Sequence, residues 1–471
     1  MKKRTFLKWI GAAALAPLTR TFGGARPPGK RPNVLIICTD QQAAEALGYR
    51  SDPRYLKTPN MDALAAESMV FNRAYTANPI CMPARAAMLS GCASPETGIF
   101  VNDKSIMDSG KFPTLGKIFS RAGYETAYVG KLHAAVDPDD PNSHGFEHTL
   151  NMQNDGNGLD VATPAAAREF LEQPHERPWL MFVSFNNPHN ICEWARGQRA
   201  LPDGSIGEPP PLADCPPLRA NAAPPENETD IMALMRRSYH ASKMCTPVGT
   251  FGEKEWREYI WAYYRMIEKV DAQVGEVLNA LEESGQAEET LIVFTSDHGD
   301  CMGAHQWNQK TVFYDESVRI PFFLRLPRVT RPGTSDHLVN NCVDLLPTVC
   351  AFAGVPAPVS ATGRSLKAAA AGFEPEDPRD YIVAVNRMVQ GAEVDGQKPE
   401  PNGRMVRSKH WKYCVYDIGE RREALFDMEK DPGETVNLAA TAGYKTILQQ
   451  HRDLLAEWGR RTGDTFPVPG D

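Results

Sequence analysis

The chain has 471 residues, of which 42% are hydrophobic and 23% are charged, a composition typical of a soluble globular protein. Its length predicts two domains, or one large α/β domain with a smaller appended one. The formal net charge of −8 and the lack of any basic run exclude nucleic acid as an expected partner.

The N-terminal segment, residues 1–30, has the pattern of an export signal. A basic stretch around Lys2 and Arg4 precedes the apolar segment Trp9–Leu18. This apolar segment is too short to cross a bilayer as a helix, so we expect no stable transmembrane segment here. The run Lys3–Lys8 is similar to a twin-arginine signal in which lysine replaces one arginine. We therefore expect an exported protein, either periplasmic or secreted.

Four apolar runs share one form, a short stretch rich in β-branched and aromatic residues that is followed at once by polar residues. The runs are Val34–Cys38, Thr126–Val129, Trp179–Phe185 and Leu291–Thr295. Uninterrupted apolar runs are typical of strands that are buried on both faces. Helical patterns lie between them at Met61–Ser68, Thr114–Ala122 and Trp256–Leu281. The alternation predicts an α/β fold, with a large mostly parallel or mixed sheet flanked by helices on both faces.

Polar side chains follow each of these predicted strands. They are Asp40 and Gln41, Lys131 and His133, His189, and Asp297 and His298. In wound α/β sheets, ligands bind beyond the carboxyl ends of the strands. We therefore expect these residues to meet at one edge of the sheet.

The rest of the chain predicts one insertion and a second, smaller unit. Residues 31–365 are expected to form the large α/β domain, within which residues 193–250 carry proline clusters that predict an irregular insertion. Four short apolar runs between Tyr381 and Phe426, followed by the helical pattern Lys445–Arg460, predict a C-terminal antiparallel sheet with one helix. We assign residues 375–471 to this α+β subdomain.

The stretch from Cys81 to Arg85 lies at the start of a predicted helix. Pro83 suits the first turn of a helix. Cys81 would then lie at the helix N-terminus, where the dipole and the free N–H groups favour an anion. Arg85, one turn later, can direct its guanidinium to the same place.

This Cys-x-Pro-x-Arg motif, with the following Leu89–Gly91, resembles the signature of the formylglycine-dependent (type I) sulfatases of the alkaline-phosphatase-like superfamily. The four strand ends follow the order of that family, and the tail segment Leu425–Leu438 is also similar to it. The resemblance implies a hydrolase that cleaves sulfate esters. Its substrate would be a sulfated small molecule or a sulfated glycan, and we expect the glycan. The resemblance also implies a maturation enzyme that converts Cys81 to formylglycine.

The resemblance further implies one divalent cation per chain. Its ligands would be Asp40, Gln41, residue 81, Asp297 and His298, and the oxygen ligands among them suit Ca²⁺. Two positions depart from the common pattern, since many members have aspartate in place of Gln41 and asparagine in place of His298. Because imidazole binds transition metals better than calcium, another divalent metal stays an alternative, and His298 either ligates the cation or contacts the sulfate.

The resemblance also implies catalytic roles for three positively charged side chains and two histidines. Arg85, Lys131 and Lys310 would neutralise the sulfuryl oxygens while a hydroxyl of the hydrated formylglycine attacks sulfur. His189 would protonate the departing alcohol. His133 would deprotonate the second hydroxyl, so that the aldehyde forms again and sulfate is expelled.

Two other functions remain as alternatives. One is a phosphonate or phosphate ester hydrolase of the same superfamily, and the other is a non-catalytic glycan-binding relative in which Cys81 stays unmodified. No motif identifies the sugar. Asp300 and His305 share a loop with Lys310 and are further candidates for a catalytic role. Five residues are candidates for the wall of the leaving-group pocket, namely Glu193, Trp194, Arg196, Asn386 and Arg387.

Overall fold

The computed structural model describes residues 31–153, 159–245 and 247–470, so the predicted export signal lies outside the described residues. The described residues form one compact unit. No helix in the described ranges combines the length and the apolar character that crossing a bilayer requires. All ten cysteines belong to the described part of the chain, and each is buried and free of any disulfide.

Eight strands form the larger sheet. They are β1 (Asn33–Asp40), β2 (Met69–Tyr75), β3 (Glu125–Lys131), β4 (His148–Gln153), β5 (Trp179–Pro188), β6 (Thr290–Ser296), β7 (Phe322–Arg325) and β8 (Gly333–Asn340). Their order across the sheet is β4-β3-β5-β1-β6-β7-β2-β8. Only β7 runs antiparallel to its neighbours β6 and β2, so the predicted mostly parallel sheet is confirmed.

The smaller sheet has four antiparallel strands, β9 (Tyr381–Arg387), β10 (Asn402–Ser408), β11 (Trp411–Tyr416) and β12 (Glu423–Asp427). A long C-terminal helix packs on β9 and β10. The predicted second sheet with one helix is thus present. Because the described residues form one compact unit, the boundary between the two predicted domains stays a prediction.

Helices lie on both faces of the larger sheet. The α-helices are α1 (Pro59–Ala66), α2 (Cys81–Ser90), α3 (Ser94–Thr97), α4 (Leu115–Arg121), α5 (Pro141–His144), α6 (Thr163–Leu171), α7 (Ile191–Ala195), α8 (Asp230–Ala241), α9 (Glu253–Glu283), α10 (Asp315–Val318), α11 (Asn341–Ala353), α12 (Lys367–Ala370) and α13 (Lys445–Thr462). Val34 and Ile36 of β1 pack with α2, α4 and α11, whereas Leu35 and Ile37 pack with α1, α6 and α9. Alternate residues of β1 therefore face two apolar layers, which explains its uninterrupted apolar run.

The segment 193–250 contains more regular structure than its prolines predict. Helix α8 has twelve residues, and the side chain of Thr229 accepts a hydrogen bond from the backbone N–H of Met232 in its first turn. Its apolar side, with Ile231, Met235 and Tyr239, is buried. The prediction of an irregular segment is wrong for residues 230–241, because the proline clusters precede the helix and do not interrupt it.

Candidate active site

The predicted polar residues meet at the carboxyl edge of the larger sheet. Asp40 is the last residue of β1, Lys131 is the last of β3, and Asp297 follows β6 directly. The Nζ atom of Lys131 lies 2.8 Å from Oδ2 of Asp40, and both side chains are fully buried. Parallel strands thus bring residues that are far apart in sequence into direct contact.

Cys81 is the first residue of α2, and all ten residues of this helix are buried. Its Sγ atom lies 3.1 Å from Nζ of Lys310, 3.2 Å from Nε2 of His298 and 3.7 Å from Oδ1 of Asp40. Burial opposes ionisation of the thiol, but Lys310, His298 and Lys131 together lower the pKa of Cys81 well below its ordinary value. A polar atom on residue 81 therefore lies in a strongly cationic environment.

Arg85 braces the two aspartates. Its Nε donates to Oδ2 of Asp297 at 2.8 Å, and its Nη2 donates to Oδ2 of Asp40 at 3.1 Å. Its Nη1 donates to Oγ of Ser184 at 2.7 Å. All three nitrogens of the guanidinium are therefore engaged by protein groups, and the role of Arg85 in holding sulfate stays a prediction.

The second oxygens of the two aspartates face the same point. Oδ1 of Asp40 and Oδ1 of Asp297 lie 3.8 Å and 3.7 Å from Nε2 of His298. One donor atom from each of Asp40, Cys81, Asp297 and His298 lies within 4.8 Å of the other three. Burial raises the pKa of Asp297, as does the neighbouring charge of Asp40, whereas Lys131, His189 and Arg85 overcome burial and hold the pKa of Asp40 below its ordinary value.

Gln41 lies beside this group in the left-handed region, with φ of 70°. Its Oε1 accepts a hydrogen bond from Nζ of Lys310 at 2.9 Å, and its Nε2 donates to Oδ2 of Asp300 at 2.7 Å. Asp300 is fully buried, and burial raises its pKa to about 6. Asp300 contacts the site through Gln41, and no hydrogen bond described here joins it to Cys81.

His133 and His189 both lie beside the Cys81 thiol and interact with it electrostatically. Each ring is half-buried, and the Nδ1 atom of each is buried without a partner among the described residues. Burial and the charges of Lys310 and Lys131 lower the pKa of His189 to about 3. Both histidines thus lie where a group bound at residue 81 would meet them.

His305, which shares a loop with Lys310, contacts the segment 219–223 and Tyr314. Its Nε2 lies 3.3 Å from Nδ2 of Asn221, its Nδ1 lies 3.1 Å from the carbonyl of Ala223, and its ring stacks on Tyr314. These contacts attach the Lys310 loop to the segment 219–223. His305 is therefore a structural residue of the loop in this arrangement.

Two residues of β5 that were not predicted complete the cluster. Ser184 accepts from Arg85, and Oδ1 of Asn186 accepts from Nζ of Lys131 at 3.0 Å. Both belong to a strand whose ten residues are all buried. A hydroxyl inside such a strand needs a hydrogen-bonding partner, and that requirement was the available signal for Ser184.

The five predicted wall residues belong to two segments, each of which contacts the site or the residue next to it. Glu193 and Trp194 are buried on α7, and Arg196 pairs with Glu193 at 3.3 Å. Helix α7 adjoins the site through Cys192, whose Sγ lies 3.5 Å from Nε2 of Gln41. Asn386 donates to the carbonyl of Thr311, the residue after Lys310, and Arg387 is exposed. Their contact with a substrate stays a prediction.

Comparisons with known proteins agree with this geometry. The family model described as Sulfatase matches residues 32–355, and the model described as N-sulphoglucosamine sulphohydrolase, C-terminal, matches residues 303–460. The Delta 4,5-hexuronate-2-O-sulfatase of Bacteroides thetaiotaomicron is 31% identical over 460 residues, which cover 94% of this chain and 92% of that relative.

Solved structures extend the likeness to the fold. A 2-O GAG sulfatase superposes with a TM-score of 0.80 at 30% identity, covering 94% of this chain and 95% of that chain. The phosphonate monoester hydrolase of Agrobacterium radiobacter has a TM-score of 0.73 at 25% identity, covering 92% and 96%. The chain belongs to the sulfatase family of the alkaline-phosphatase-like superfamily, and it is a sulfuric ester hydrolase.

Proposed function

We propose that this sulfatase removes sulfate from a glycan, with a formylglycine formed from Cys81 and one bound divalent cation, Ca²⁺. The relative named for hexuronate 2-O-sulfate and the structure named as a 2-O GAG sulfatase support a sulfated sugar as substrate. We also propose that the chain is exported, on the basis of the twin-arginine-like pattern in residues 1–30.

The observation that carries the proposal is the position of Cys81. Its sulfur stands where a hydroxyl of hydrated formylglycine would lie, and Lys310, His298 and Asp40 surround it within 3.7 Å. A structural cysteine gains nothing from such a setting, whereas a nucleophile and a bound anion both do.

The donor atoms suit a divalent cation. Asp40 and Asp297 each direct one oxygen to Arg85 and the other toward His298. Nδ1 of His298 lies 3.1 Å from the carbonyl of Gly299 and donates there, so with a cation bound the ring would lose its other proton and present the lone pair of Nε2 to the cluster. Two carboxylates, one amide oxygen and one imidazole nitrogen form a donor set that can hold such a cation, and this arrangement favours His298 as a ligand.

The protein's own groups would then divide the work. When bound, the cation polarises the sulfate and favours the ionised nucleophile at residue 81. Lys131 and Lys310 neutralise charge on the sulfuryl oxygens, which is where electrostatic stabilisation has its largest effect. His189 would protonate the leaving alcohol once the anionic sulfate ester, bound beside the ring, has raised its pKa from about 3, and His133 would accept a proton at residue 81.

The test combines mass spectrometry with activity measurements on protein made together with a formylglycine-forming enzyme. We expect the peptide that contains residue 81 to lose its sulfur, and we expect sulfated disaccharides to be hydrolysed. Cys81→Ala should abolish turnover, whereas Cys350→Ala, an equally buried cysteine in α11, should retain it. An unmodified, inactive wild type would contradict the proposal.

The likeness to a phosphonate monoester hydrolase supports one competing function. The same preparation should therefore be assayed with a phosphonate monoester. A specificity constant higher for the phosphonate than for every sulfated saccharide would favour the competing function over ours.

A further inference from the structure

Asp300 is a fully buried carboxylate whose oxygens accept three hydrogen bonds. Its Oδ2 accepts from Nε2 of Gln41 at 2.7 Å and from the hydroxyl of Tyr259 at 2.8 Å. Its Oδ1 accepts from the backbone N–H of Met302 at 2.7 Å. These contacts hold the carboxylate firmly against the Gln41 amide.

The two ends of a glutamine amide are not equivalent, because Oε1 only accepts hydrogen bonds and Nε2 only donates them. On one side, Oε1 of Gln41 accepts from the ammonium of Lys310 at 2.9 Å. On the other side, Nε2 faces Asp300. A rotation of the amide by half a turn would set NH₂ against an ammonium and a carbonyl against a carboxylate, so both neighbours select the same orientation.

This orientation matters for a cation ligand. A carboxylate at position 41 would present an oxygen to the cation in either orientation, whereas an amide does so in only one. Gln41 directs its oxygen toward Lys310, whose Nζ also lies 3.1 Å from Cys81 Sγ. The amide oxygen is therefore on the side of the reactive group, and the NH₂ group is turned away from it.

We propose that Asp300 is a positioning residue that holds the amide of Gln41 so that its oxygen faces the divalent cation. This inference depends on the proposed cation site. In this proposal Asp300 acts on the cation only through Gln41, whose Nε2 donates to its carboxylate. Partners that orient a metal ligand in this way typically contribute about 10- to 100-fold to metal affinity.

The experiment measures the Ca²⁺ dissociation constant by calorimetry on the metal-depleted protein and its variants. Asp300→Asn should weaken binding about 10- to 100-fold, because asparagine no longer discriminates between the two amide orientations. Gln41→Glu provides an oxygen to the cation in either orientation, so in that background the side chain at position 300 should no longer matter for orientation. The double variant should therefore bind Ca²⁺ at least as tightly as Gln41→Glu alone, because the new amide at position 300 can donate to the new carboxylate at position 41, which Lys310 also contacts.

Asp271→Asn is the matched control, since Asp271 is a buried carboxylate that accepts the N–H groups of Met61 and Asn60 from helix α1, away from the site. It should leave the Ca²⁺ dissociation constant unchanged even if it lowers the melting temperature. An unchanged dissociation constant for Asp300→Asn would overturn the inference, and so would a double variant that binds about 10- to 100-fold more weakly than Gln41→Glu alone. A wild type that binds no Ca²⁺ would instead overturn the proposed cation site itself.

Discussion

His133 and His189 occupy similar positions beside Cys81 but follow different strands, β3 and β5. Lys131 lies two residues before His133, and it contacts both Asp40 and Asn186. Because Asn186 lies three residues before His189, the same ammonium group contacts the ends of both strands that carry the histidines. Each has an unpartnered Nδ1 among the described residues. The geometry brings both to residue 81, and substitution must distinguish their roles.

We predict that His189→Ala lowers turnover of a sulfated sugar by roughly 10²- to 10⁴-fold and has a much smaller effect on 4-nitrophenyl sulfate. A sugar alkoxide needs a proton when it leaves, whereas nitrophenolate does not. His133→Ala should slow both substrates alike and show a burst of one equivalent of alcohol. Rates for a series of leaving groups test this.

The buried His451 supplies the control for these substitutions, because it contacts Ser408 in the C-terminal region. His451→Gln should leave the dependence on the leaving group unchanged. If the dependence on the leaving group appeared in His133→Ala and the burst in His189→Ala, the two roles would have to be exchanged.

The element that places Lys310 is the segment between β6 and α10. Five of its residues other than glycine have positive φ, namely Met302, His305, Gln306, Gln309 and Thr311. Such conformations cost on the order of 1 kcal/mol or more each and persist only where the surroundings impose them. The segment 219–223 holds His305, Pro79 accepts from the N–H of Thr311, and Asn386 contacts the carbonyl of Thr311. The insertion and the smaller sheet therefore help to place Lys310.

A buried ionic group joins the smaller sheet to the start of α10. Nζ of Lys412 lies 2.5 Å from Oδ1 of Asp315 and 2.8 Å from Oε1 of Glu434. Burial opposes ionisation of Asp315, but Lys412 and Arg319 lower its pKa to about 2. Burial raises the pKa of Glu434 to about 8, and Lys412 offsets this only in part. Lys412 thus pairs with two acids, and Glu434 keeps its proton to a higher pH than Asp315 does.

We predict that this glutamate makes folding pH-dependent. Between its ordinary pKa of 4.5 and its raised pKa of about 8, the folded protein holds a proton that the unfolded chain releases. Stability should therefore fall as pH rises through this window, with a contribution of up to about 1.4 kcal/mol per pH unit. Glu434→Gln should flatten the dependence and be more stable than the wild type at pH 8.

Urea unfolding at several pH values checks this expectation. The exposed Glu420 provides the matched control, and Glu420→Gln should retain the slope of the wild type. A wild type whose stability rises between pH 5 and pH 8, with the same rise in Glu434→Gln, would show that Glu434 is ionised throughout.

The strands that sequence predicts correctly are those with uninterrupted apolar runs, because burial on both faces leaves that pattern. Strand β2 escapes prediction because Asn72 and Arg73 interrupt it. Strand β8 begins at an edge of the sheet with polar, mostly exposed residues such as Asp336. The site residues that follow strands could be anticipated, whereas the bracing by Ser184 and the orientation of Gln41 depend on contacts between distant segments.

At the scale of the whole molecule, the larger sheet gathers the site from residues 40 to 310 of the chain. Both carboxylates of the proposed cation site lie between fixed groups, and Arg85 links them. A ligand that binds only this assembled arrangement stabilises the folded state through mass action. Cation binding and global stability should therefore be coupled.

We predict that Ca²⁺ at about 100 times its dissociation constant raises the free energy of unfolding by about 2.7 kcal/mol relative to chelated protein. Asp297→Asn should remove this increment because it withdraws one ligand charge. Asp336→Asn, at an exposed position of β8, should retain it. Denaturation with and without chelator measures the difference, and equal wild-type stability in both conditions would contradict the prediction.

The enclosure of Cys81 has a consequence for how active molecules arise. The side chain has no exposed surface, and every residue of α2 is covered. Under the proposed chemistry, the maturation enzyme must oxidise this thiol before the chain folds around it. Oxidation of Cys81 and folding therefore compete once in each molecule. The fraction of active molecules in a preparation then depends on the ratio of the oxidation rate to the folding rate. Slower folding during synthesis would raise this fraction without any change of sequence.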